Sequence, residues 1–175
     1  MKVVVLRIGH RVPRDSRVTT HVCLTARALG ADGVCISDVR DRALIETVRD
    51  VSKRFGGDFQ VEAGRPWRPT ITEWKRGGGK VVHLTAYGVP LPKIIRAIRG
   101  SDGDKLVVVG AEKVPGDLYG LADWNVAVTN QPMSEVSALG IFLDWFFEHS
   151  RLEADFSNPE IRIVPSERGK KVVTA

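Results

Sequence analysis

The sequence between Lys105 and Trp145, KLVVVGAEKVPGDLYGLADWNVAVTNQPMSEVSALGIFLDW, decides the fold class. Its apolar run Leu106–Val109 stops at Gly110, a pattern typical of a strand that is buried on both faces. The segment Gly110–Gly120 contains three glycines and a proline, so we expect it to be largely a loop. The stretch therefore begins with a buried strand that leads into a glycine-rich loop.

The second half of the stretch predicts another strand, another loop and a long helix. Asn125–Val128 has the composition of a short strand, and Thr129–Pro132 offers capping chemistry ahead of a helix. The helix is predicted from about Met133 to His149 and is apolar on more than one face. Loops that leave neighbouring parallel strands at the same end form a pocket where open α/β sheets bind ligands. Pattern alone leaves open whether these loops form such a pocket or are ordinary strand-to-helix connections.

Strands and helices alternate along the rest of the chain, and this predicts an α/β fold with a mainly parallel sheet and helices on both faces. The predicted strands are Lys2–Ile8, Gly33–Ser37, Asp58–Ala63, Lys80–Leu84, Asp104–Val109 and Asn125–Val128. The predicted helices are Arg17–Leu29 with Asp15 or Ser16 as its N-cap, Arg40–Phe55, Ile71–Arg76, Leu91–Arg99 and Met133–His149. Turns or loops are predicted at Gly64–Pro69 and Thr85–Pro90, and a C-terminal β-hairpin at Glu160–Val164 and Lys170–Thr174.

The length and composition are those of one globular domain, or of one domain with a small appendage. The chain has 175 residues, of which 43% are apolar and 27% charged. No apolar run approaches the roughly 18–20 residues that span a bilayer, and the run that begins at Met1 breaks too early for a signal peptide. We therefore expect a cytoplasmic protein without a membrane partner, in which Cys23 and Cys35 are reduced core thiols.

The basic charge is concentrated at the N-terminus. The formal net charge is +5, and the first thirty residues hold six basic residues against one acidic residue, while the remaining residues balance. The basic residues are Lys2, Arg7, Arg11, Arg14, Arg17 and Arg27. A local excess of this kind favours a phosphate-bearing partner such as a nucleic acid, although a solvated face has the same composition.

Several common chemistries are excluded by their missing motifs. The chain has neither a G-x-G-x-x-G fingerprint nor a P-loop, and Glu112 would repel a phosphate at the Gly110 loop. The four histidines lack metal-ligand spacing, so no metal site is expected, and no nucleophile elbow is present. A cationic, adenine-bearing cofactor is compatible with Glu112 and Glu135. Beside a basic N-terminal edge, such a cofactor points to a group transferase acting on nucleic acid.

Four separated motifs carry a resemblance that covers nearly the whole chain. They are RIGHRVPRDSRVTTHV (7–22), HLTAYG (83–88), VGAEKVP (109–115) and NQPMSEVSAL (130–139). In this order they resemble the archaeal tRNA ribose 2′-O-methyltransferases that modify cytidine 56 of the T-loop, which belong to the SPOUT, or α/β-knot, superfamily.

The resemblance implies a C-terminal trefoil knot whose loops bind S-adenosylmethionine. It implies that the cofactor-binding residues are Leu84, Gly110, Ala111, Glu112, Lys113, Val114, Val128, Thr129, Asn130, Gln131, Pro132, Met133, Ser134 and Glu135. It also implies a homodimer through the last helix, which fits the apolar surface of Val136–Phe147. Residues 1–155 would form the methyltransferase domain and residues 156–175 the hairpin extension.

In the family, an arginine near the first motif is placed at the ribose hydroxyl. The resemblance assigns this catalytic role to Arg17, with Arg14 second, and Arg11 and Arg14 would bind the tRNA. Because arginine stays protonated, its role would be electrostatic and no metal would be required. Glu135 would orient the cofactor amine or the arginine, unless it is only a first-turn acid that complements its helix dipole.

Two other functions remain open from the sequence. One is a non-catalytic RNA-binding module that uses the basic N-terminal edge, with the Gly110 loop serving only the fold. The other is a flavodoxin-like small-molecule enzyme, which would have no need of the arginine cluster.

Overall fold

The computed structural model describes residues 1–111 and 113–174. Among these residues, six strands form a sheet in which every pairing is parallel. The strands are β1 (Val3–Ile8), β2 (Gly33–Ser37), β3 (Gln60–Arg65), β4 (Lys80–Pro90), β5 (Lys105–Gly110) and β6 (Trp124–Ala127). Their order across the sheet is β3-β2-β1-β5-β4-β6. The chain thus builds one edge first, and then inserts β5 between β1 and β4.

Helices cover both faces of this sheet, which confirms the predicted α/β class. The helices are α1 (Ser16–Ala28), α2 (Arg42–Phe55), α3 (Trp67–Arg76), α4 (Leu91–Gly100), α5 (Leu118–Leu121) and α6 (Glu135–Phe146). Residues of α1, α2, α4 and α6 pack with one set of alternating strand residues, such as Val5 and Val107. The opposite set, such as Leu6 and Val108, packs with α3 and α5. Alternation along each strand therefore produces two apolar layers.

The helix α3 begins earlier than the sequence predicted. Residues 64–69 were expected to form a turn because they contain two prolines, but the helix starts at Trp67, with Pro66 as its N-cap. Pro69 is the third helical residue, where the backbone N–H has no intrahelical acceptor, so the missing donor costs nothing. Both prolines are therefore compatible with the start of this helix.

The helix α6 is shorter than predicted at both ends. It starts at Glu135, because Ser134 is the N-cap and its Oγ accepts from Val136 N at 3.2 Å. It ends at Phe146, and Glu148 and His149 then adopt positive φ angles of 53° and 63°. Such left-handed conformations interrupt a right-handed helix.

The region expected to be a loop at residues 85–90 belongs to β4. Leu84 and Val89 both pair with Val126 of β6, so the four residues between them form a bulge within the strand. Pro90 pairs with Ala127 and is also the N-cap of α4. The strand therefore leads directly into the helix.

The tail beyond α6 lies against the N-terminal half of the domain. The Gly57 N–H donates to Ser157 O at 2.8 Å, and the Glu160 N–H donates to Arg54 O at 2.9 Å. The guanidinium of Arg27 lies 4.5 Å from the ring centroid of Phe156. Further along, β7 (Ile161–Ile163) and β8 (Val172–Thr174) pair antiparallel.

The two cysteines, Cys23 and Cys35, are free and buried. Burial raises the pKa of Cys23 to about 12 and that of Cys35 to about 11. Both thiols are therefore protonated at neutral pH.

Within residues 1–111 and 113–174, no helix is both long enough and apolar enough to cross a membrane.

Candidate active site

A cavity of about 590 Å³ opens at the carboxyl ends of β4, β5 and β6. Its apolar wall contains Leu84, Val109, Val126 and Val128. These side chains come from three neighbouring strands and the loop that follows β6, because parallel strands end at the same edge of the sheet. This edge is where open α/β sheets bind their ligands.

The structure brings ten of the predicted cofactor residues to the wall of this cavity. They are Leu84, Gly110, Ala111, Lys113, Val114, Val128, Thr129, Gln131, Met133 and Glu135. Glu112 lies outside the described residues. Asn130, Pro132 and Ser134 were predicted with the others but do not line the cavity. The two loops of the opening stretch therefore meet around one space.

Asn130 and Ser134 act on the backbone around the cavity. The amide of Asn130 donates to Ala86 O at 2.8 Å and to Gly88 O at 3.0 Å, which joins the loop after β6 to the bulge of β4. The hydroxyl of Ser134 caps α6. Both residues thus fix segments whose neighbours form the cavity wall.

A polar cluster lines the side of the cavity next to α5. Thr85 Oγ1 lies 3.0 Å from Tyr119 Oη, and the Tyr119 ring packs edge-on against His83 with centroids 4.9 Å apart. His83 Nδ1 lies 2.8 Å from Asn125 Oδ1. Burial lowers the pKa of His83, and the hydrogen bond with Asn125 offsets this only in part. We therefore expect a neutral imidazole at neutral pH.

Arg7 and Glu135 form an ion pair at the wall. Arg7 is 1% exposed, and its Nη2 donates to Glu135 Oε1 at 2.9 Å. Glu135 lines the cavity at the start of α6, whereas Arg7 lies in β1 beside the end of β5. A buried guanidinium costs free energy unless it is paired, and the carboxylate of Glu135 is the ion-pair partner of Arg7. The ion pair consequently fixes a carboxylate at the cavity wall.

A buried hydrogen-bond network continues from Arg7 to the start of α2. Arg7 Nε donates to Thr19 Oγ1 at 3.4 Å, and His10 Nδ1 lies 3.0 Å from the same oxygen. His10 Nε2 lies 3.2 Å from Asp41 Oδ2, which also accepts from Ser16 Oγ at 2.8 Å. A proton on His10 Nε2 would let the ring donate to Asp41, and Nδ1 would then accept from Thr19 Oγ1. The network joins β1, α1 and α2 behind the cavity.

The arginines predicted for catalysis and RNA binding lie elsewhere. Arg14 and Arg17 are exposed, in the loop after β1 and on α1. Arg11 Nε donates to Asp15 Oδ2 at 2.8 Å, and this bond lowers the pKa of Asp15. None of the three arginines is among the described residues that line the cavity. Asp15 holds the N-cap position of α1, but its side chain binds Arg11 and makes no capping bond.

Sequence reasoning missed several residues of the site. Arg7 was counted only in the basic excess and in a motif, although one charged residue within the strand sequence VVVLRI was a signal for a buried ion pair. Thr85, Tyr87 and Tyr119 also line the cavity. Their side chains reach it through the bulge of β4 and through α5, which local patterns did not predict.

Within residues 1–111 and 113–174, no three His, Cys, Asp or Glu side chains are arranged to hold a metal ion.

Comparison with known proteins identifies the family. The family model described as tRNA ribose 2′-O-methyltransferase, aTrm56, matches residues 55–173. A tRNA (cytidine(56)-2′-O)-methyltransferase of Methanopyrus kandleri is 53% identical over 98% of this chain and 96% of its own length. An enzyme of the same name from Methanoregula boonei is also 53% identical, over 97% of this chain and 96% of its own.

Solved structures share the fold at much lower identity. The AdoMet-bound rRNA methyltransferase from Sinorhizobium meliloti superposes with a TM-score of 0.60 at 20% identity, over 85% of this chain. The chain spans 56% of that protein's length. This likeness supports the α/β architecture, and the matches in sequence are more specific. The chain belongs to the aTrm56 family of tRNA ribose 2′-O-methyltransferases.

Proposed function

We propose that this protein transfers a methyl group from S-adenosylmethionine to the 2′-hydroxyl of cytidine 56 in the T-loop of tRNA. The observation that carries the proposal is the carboxylate of Glu135, held at the wall of the strand-end cavity by the buried Arg7. Relatives that share about half of their residues over nearly the whole chain bear the name of this activity.

The residues of the cavity fit S-adenosylmethionine. Its volume of about 590 Å³ is within the range of roughly 300–1,000 Å³ typical of sites for cofactors and drug-sized ligands. Leu84, Val109 and Val128 offer an apolar surface for the adenine, and the Glu135 carboxylate matches a cationic ligand. The other predicted cofactor residues would act through the backbone of the two loops, with Asn130 and Ser134 holding those loops in shape.

The protein has to position the ribose hydroxyl and favour the loss of its proton. When bound, S-adenosylmethionine supplies an activated methyl group, so the chain needs no electrophile of its own. We assign Arg17, with Arg14 second, to the phosphate next to the target ribose and to the negative charge that develops on the 2′-oxygen. A permanently protonated guanidinium stabilises that charge while the proton passes to water. Arg11 and Arg14 would also bind the tRNA backbone.

We propose that Arg17 acts at the cavity of a second protomer. The residue is exposed beside Val18 on α1 and does not line the cavity of its own chain. Val18 on α1, and Ile141 and Trp145 on the outward side of α6, are each 40% exposed. The two helices are in contact, with Gly140 of α6 facing α1. An apolar face of this kind is typical of an interface, so a homodimer through α6 would also bring α1 to the seam.

The proposal extends to the chain topology, the domain bounds and the cellular compartment. We propose that the C-terminal part of the domain is threaded as a trefoil knot, which is supported by membership of the family and by the insertion of β5 next to β1. Residues 1–155 would form the methyltransferase domain, and residues 156–175, with β7 and β8, an extension. The substrate makes the cytoplasm the expected compartment.

Two measurements test this function. Calorimetry with S-adenosylmethionine should show binding, and a labelled methyl group should pass to an unmodified tRNA transcript. A transcript with 2′-deoxycytidine at position 56 is the matched control, because it lacks the acceptor oxygen. Absence of cofactor binding, or equal labelling of both transcripts, would contradict the proposal.

A further inference from the structure

We propose that Tyr87 is a stacking platform for an unpaired base of the RNA substrate at the mouth of the cofactor cavity. This inference rests on the proposed function, because it assumes an RNA substrate at this cavity. It concerns how the RNA is held, and the methyl transfer itself does not depend on it chemically.

Tyr87 is presented by the bulge of β4. Leu84 and Val89 pair with the same residue of β6, Val126, so the four residues between them leave the regular strand ladder. Tyr87 lies within this bulge and is among the residues that line the cavity. Bulges redirect side chains next to active sites. Here the bulge directs the largest side chain of the segment to the edge of the site.

The backbone on both sides of Tyr87 is fixed. The Asn130 amide donates to the carbonyls of Ala86 and Gly88, which flank the tyrosine. The Tyr87 N–H donates to Thr85 Oγ1 at 3.4 Å. An added Cβ at Gly88 would lie 2.5 Å from the Val126 backbone, so the bulge packs closely against β6 at its C-terminal end. The ring therefore projects from a segment that is ordered before any substrate arrives.

The ring itself has no structural task in the protomer. Tyr87 is 87% exposed, the largest exposure among the large apolar or aromatic side chains of the described residues. An aromatic side chain this exposed buries almost no surface on folding, whereas stacking a nucleobase on it is favourable. Lys113 on the same cavity supplies a positive charge for a nearby phosphate. An aromatic face beside a cation is typical of sites for single-stranded RNA.

An RNA base fits this position better than the adenine of the cofactor does. The cavity offers enclosed apolar walls for the adenine at Leu84 and Val109, which are 8% and 1% exposed. Tyr87, which is 87% exposed, offers the adenine no such enclosure. Target ribose and cofactor must meet at the cavity, and Tyr87 is one of the residues that line it.

The test compares Tyr87→Ala with Tyr87→Phe in the full-length protein. Binding to an unmodified tRNA transcript is measured by filter retention at one fixed salt concentration, because salt alters affinity. We expect Tyr87→Ala to weaken binding about tenfold and Tyr87→Phe to stay within about twofold, since phenylalanine keeps the stacking face. Leu152→Ala, an exposed apolar residue of the tail, is the control and should bind as the wild type does.

An abasic scan separates stacking from other roles. Full-length tRNAs, each lacking one base of the T-loop, are bound by the wild type and by Tyr87→Ala. When the missing base is the one that stacks on Tyr87, the wild type and Tyr87→Ala should bind that tRNA with equal affinity. No base is then left to stack on the ring.

Three results would overturn the proposal. The first is unchanged tRNA binding by Tyr87→Ala. The second is a loss of tRNA affinity in Tyr87→Ala that persists at every abasic position. The third is a loss of S-adenosylmethionine binding or of the dimer in Tyr87→Ala that accounts for the weaker tRNA binding. A wild-type protein that binds tRNA without methylating it would contradict the proposed function instead, and the stacking would still be measured.

Discussion

Arg7 Nη2 donates to Glu135 Oε1 at 2.9 Å, and this bond joins the first strand of the sheet to the first residue of its last helix. The two residues are 128 positions apart, and the arginine is buried while the carboxylate reaches the cavity. The ion pair therefore anchors the Glu135 carboxylate, which would face a cationic cofactor, to a strand of the sheet.

Glu135→Gln should weaken the binding of S-adenosylmethionine by about tenfold or more, because a charge-assisted hydrogen bond contributes roughly 1.5–3 kcal/mol. The amide oxygen of glutamine still accepts from Arg7, but the buried guanidinium loses its counter-charge, so the thermal unfolding temperature should also fall. Calorimetry and a melting curve measure the two effects. Glu153→Gln, an exposed substitution in the tail, is the matched control. Wild-type affinity in Glu135→Gln would show that this carboxylate does not bind the cofactor.

Asp41→Asn should remove a contribution to stability that depends on pH. Burial alone would raise the pKa of Asp41, but hydrogen bonds from Leu44 N, Ser16 Oγ and His10 outweigh it and the pKa is lowered. A lowered carboxyl pKa stabilises the fold above the unfolded value of about 3.9, and this stabilisation is lost as the pH falls through the folded value. The wild type should therefore exceed the variant in unfolding free energy at neutral pH.

The two proteins should converge in urea denaturation curves as the pH falls below about 4. Exposed Asp58→Asn is the control and should follow the wild type more closely at every pH. A difference between wild type and Asp41→Asn that is the same at pH 7 and at pH 3 would contradict this interpretation of the network.

Gly88→Ala should disturb the contact between β4 and β6. Its added methyl group would lie 2.5 Å from the Val126 backbone, a distance that requires a backbone shift. Overpacking of this kind typically costs about 1–3 kcal/mol of stability. Gly100→Ala is the control, since an added Cβ there meets nothing within 4 Å. Equal unfolding free energies for the two variants would show that the bulge tolerates a side chain at Gly88.

Trp145→Glu should convert the proposed dimer to monomers, because a charge would be placed on the apolar outer side of α6. Sedimentation velocity measures the change in mass. If Arg17 serves the cavity of the partner, methyl transfer to tRNA should be lost together with the dimer. Leu152→Glu tests a charge at another exposed apolar position outside α6. A monomeric wild type, or an active monomeric variant, would refute the shared site.

The sequence predicted what depends on local pattern. The apolar run at residues 106–109 and the loops on either side of β6 were recognised from the local sequence. A buried strand requires consecutive apolar residues, and loops are rich in glycine and proline. Ten of the predicted cofactor residues accordingly reach one cavity. The start of α3 was missed because Pro69 is disfavoured in most helical positions but not in the first turn.

The remaining features depend on contacts between distant segments. Arg7 and Glu135 meet only after the sheet has formed, and Asn130 reaches the bulge of β4 across 42 residues or more. Neither contact has a local signature. The predicted roles of Arg14 and Arg17 came from a family resemblance, and both residues are exposed and do not line the cavity of their own chain. Their assignment stays a prediction.

The most direct measurement of the central claim is the position of the transferred methyl group. After incubation with S-adenosylmethionine, an unmodified tRNA transcript is digested and its fragments are analysed by mass spectrometry. The account predicts one added methyl group, on the ribose of cytidine 56, and none after replacement of that nucleotide by 2′-deoxycytidine. Methylation of a base, methylation at another nucleotide, or an unmodified transcript in the presence of bound cofactor would contradict it.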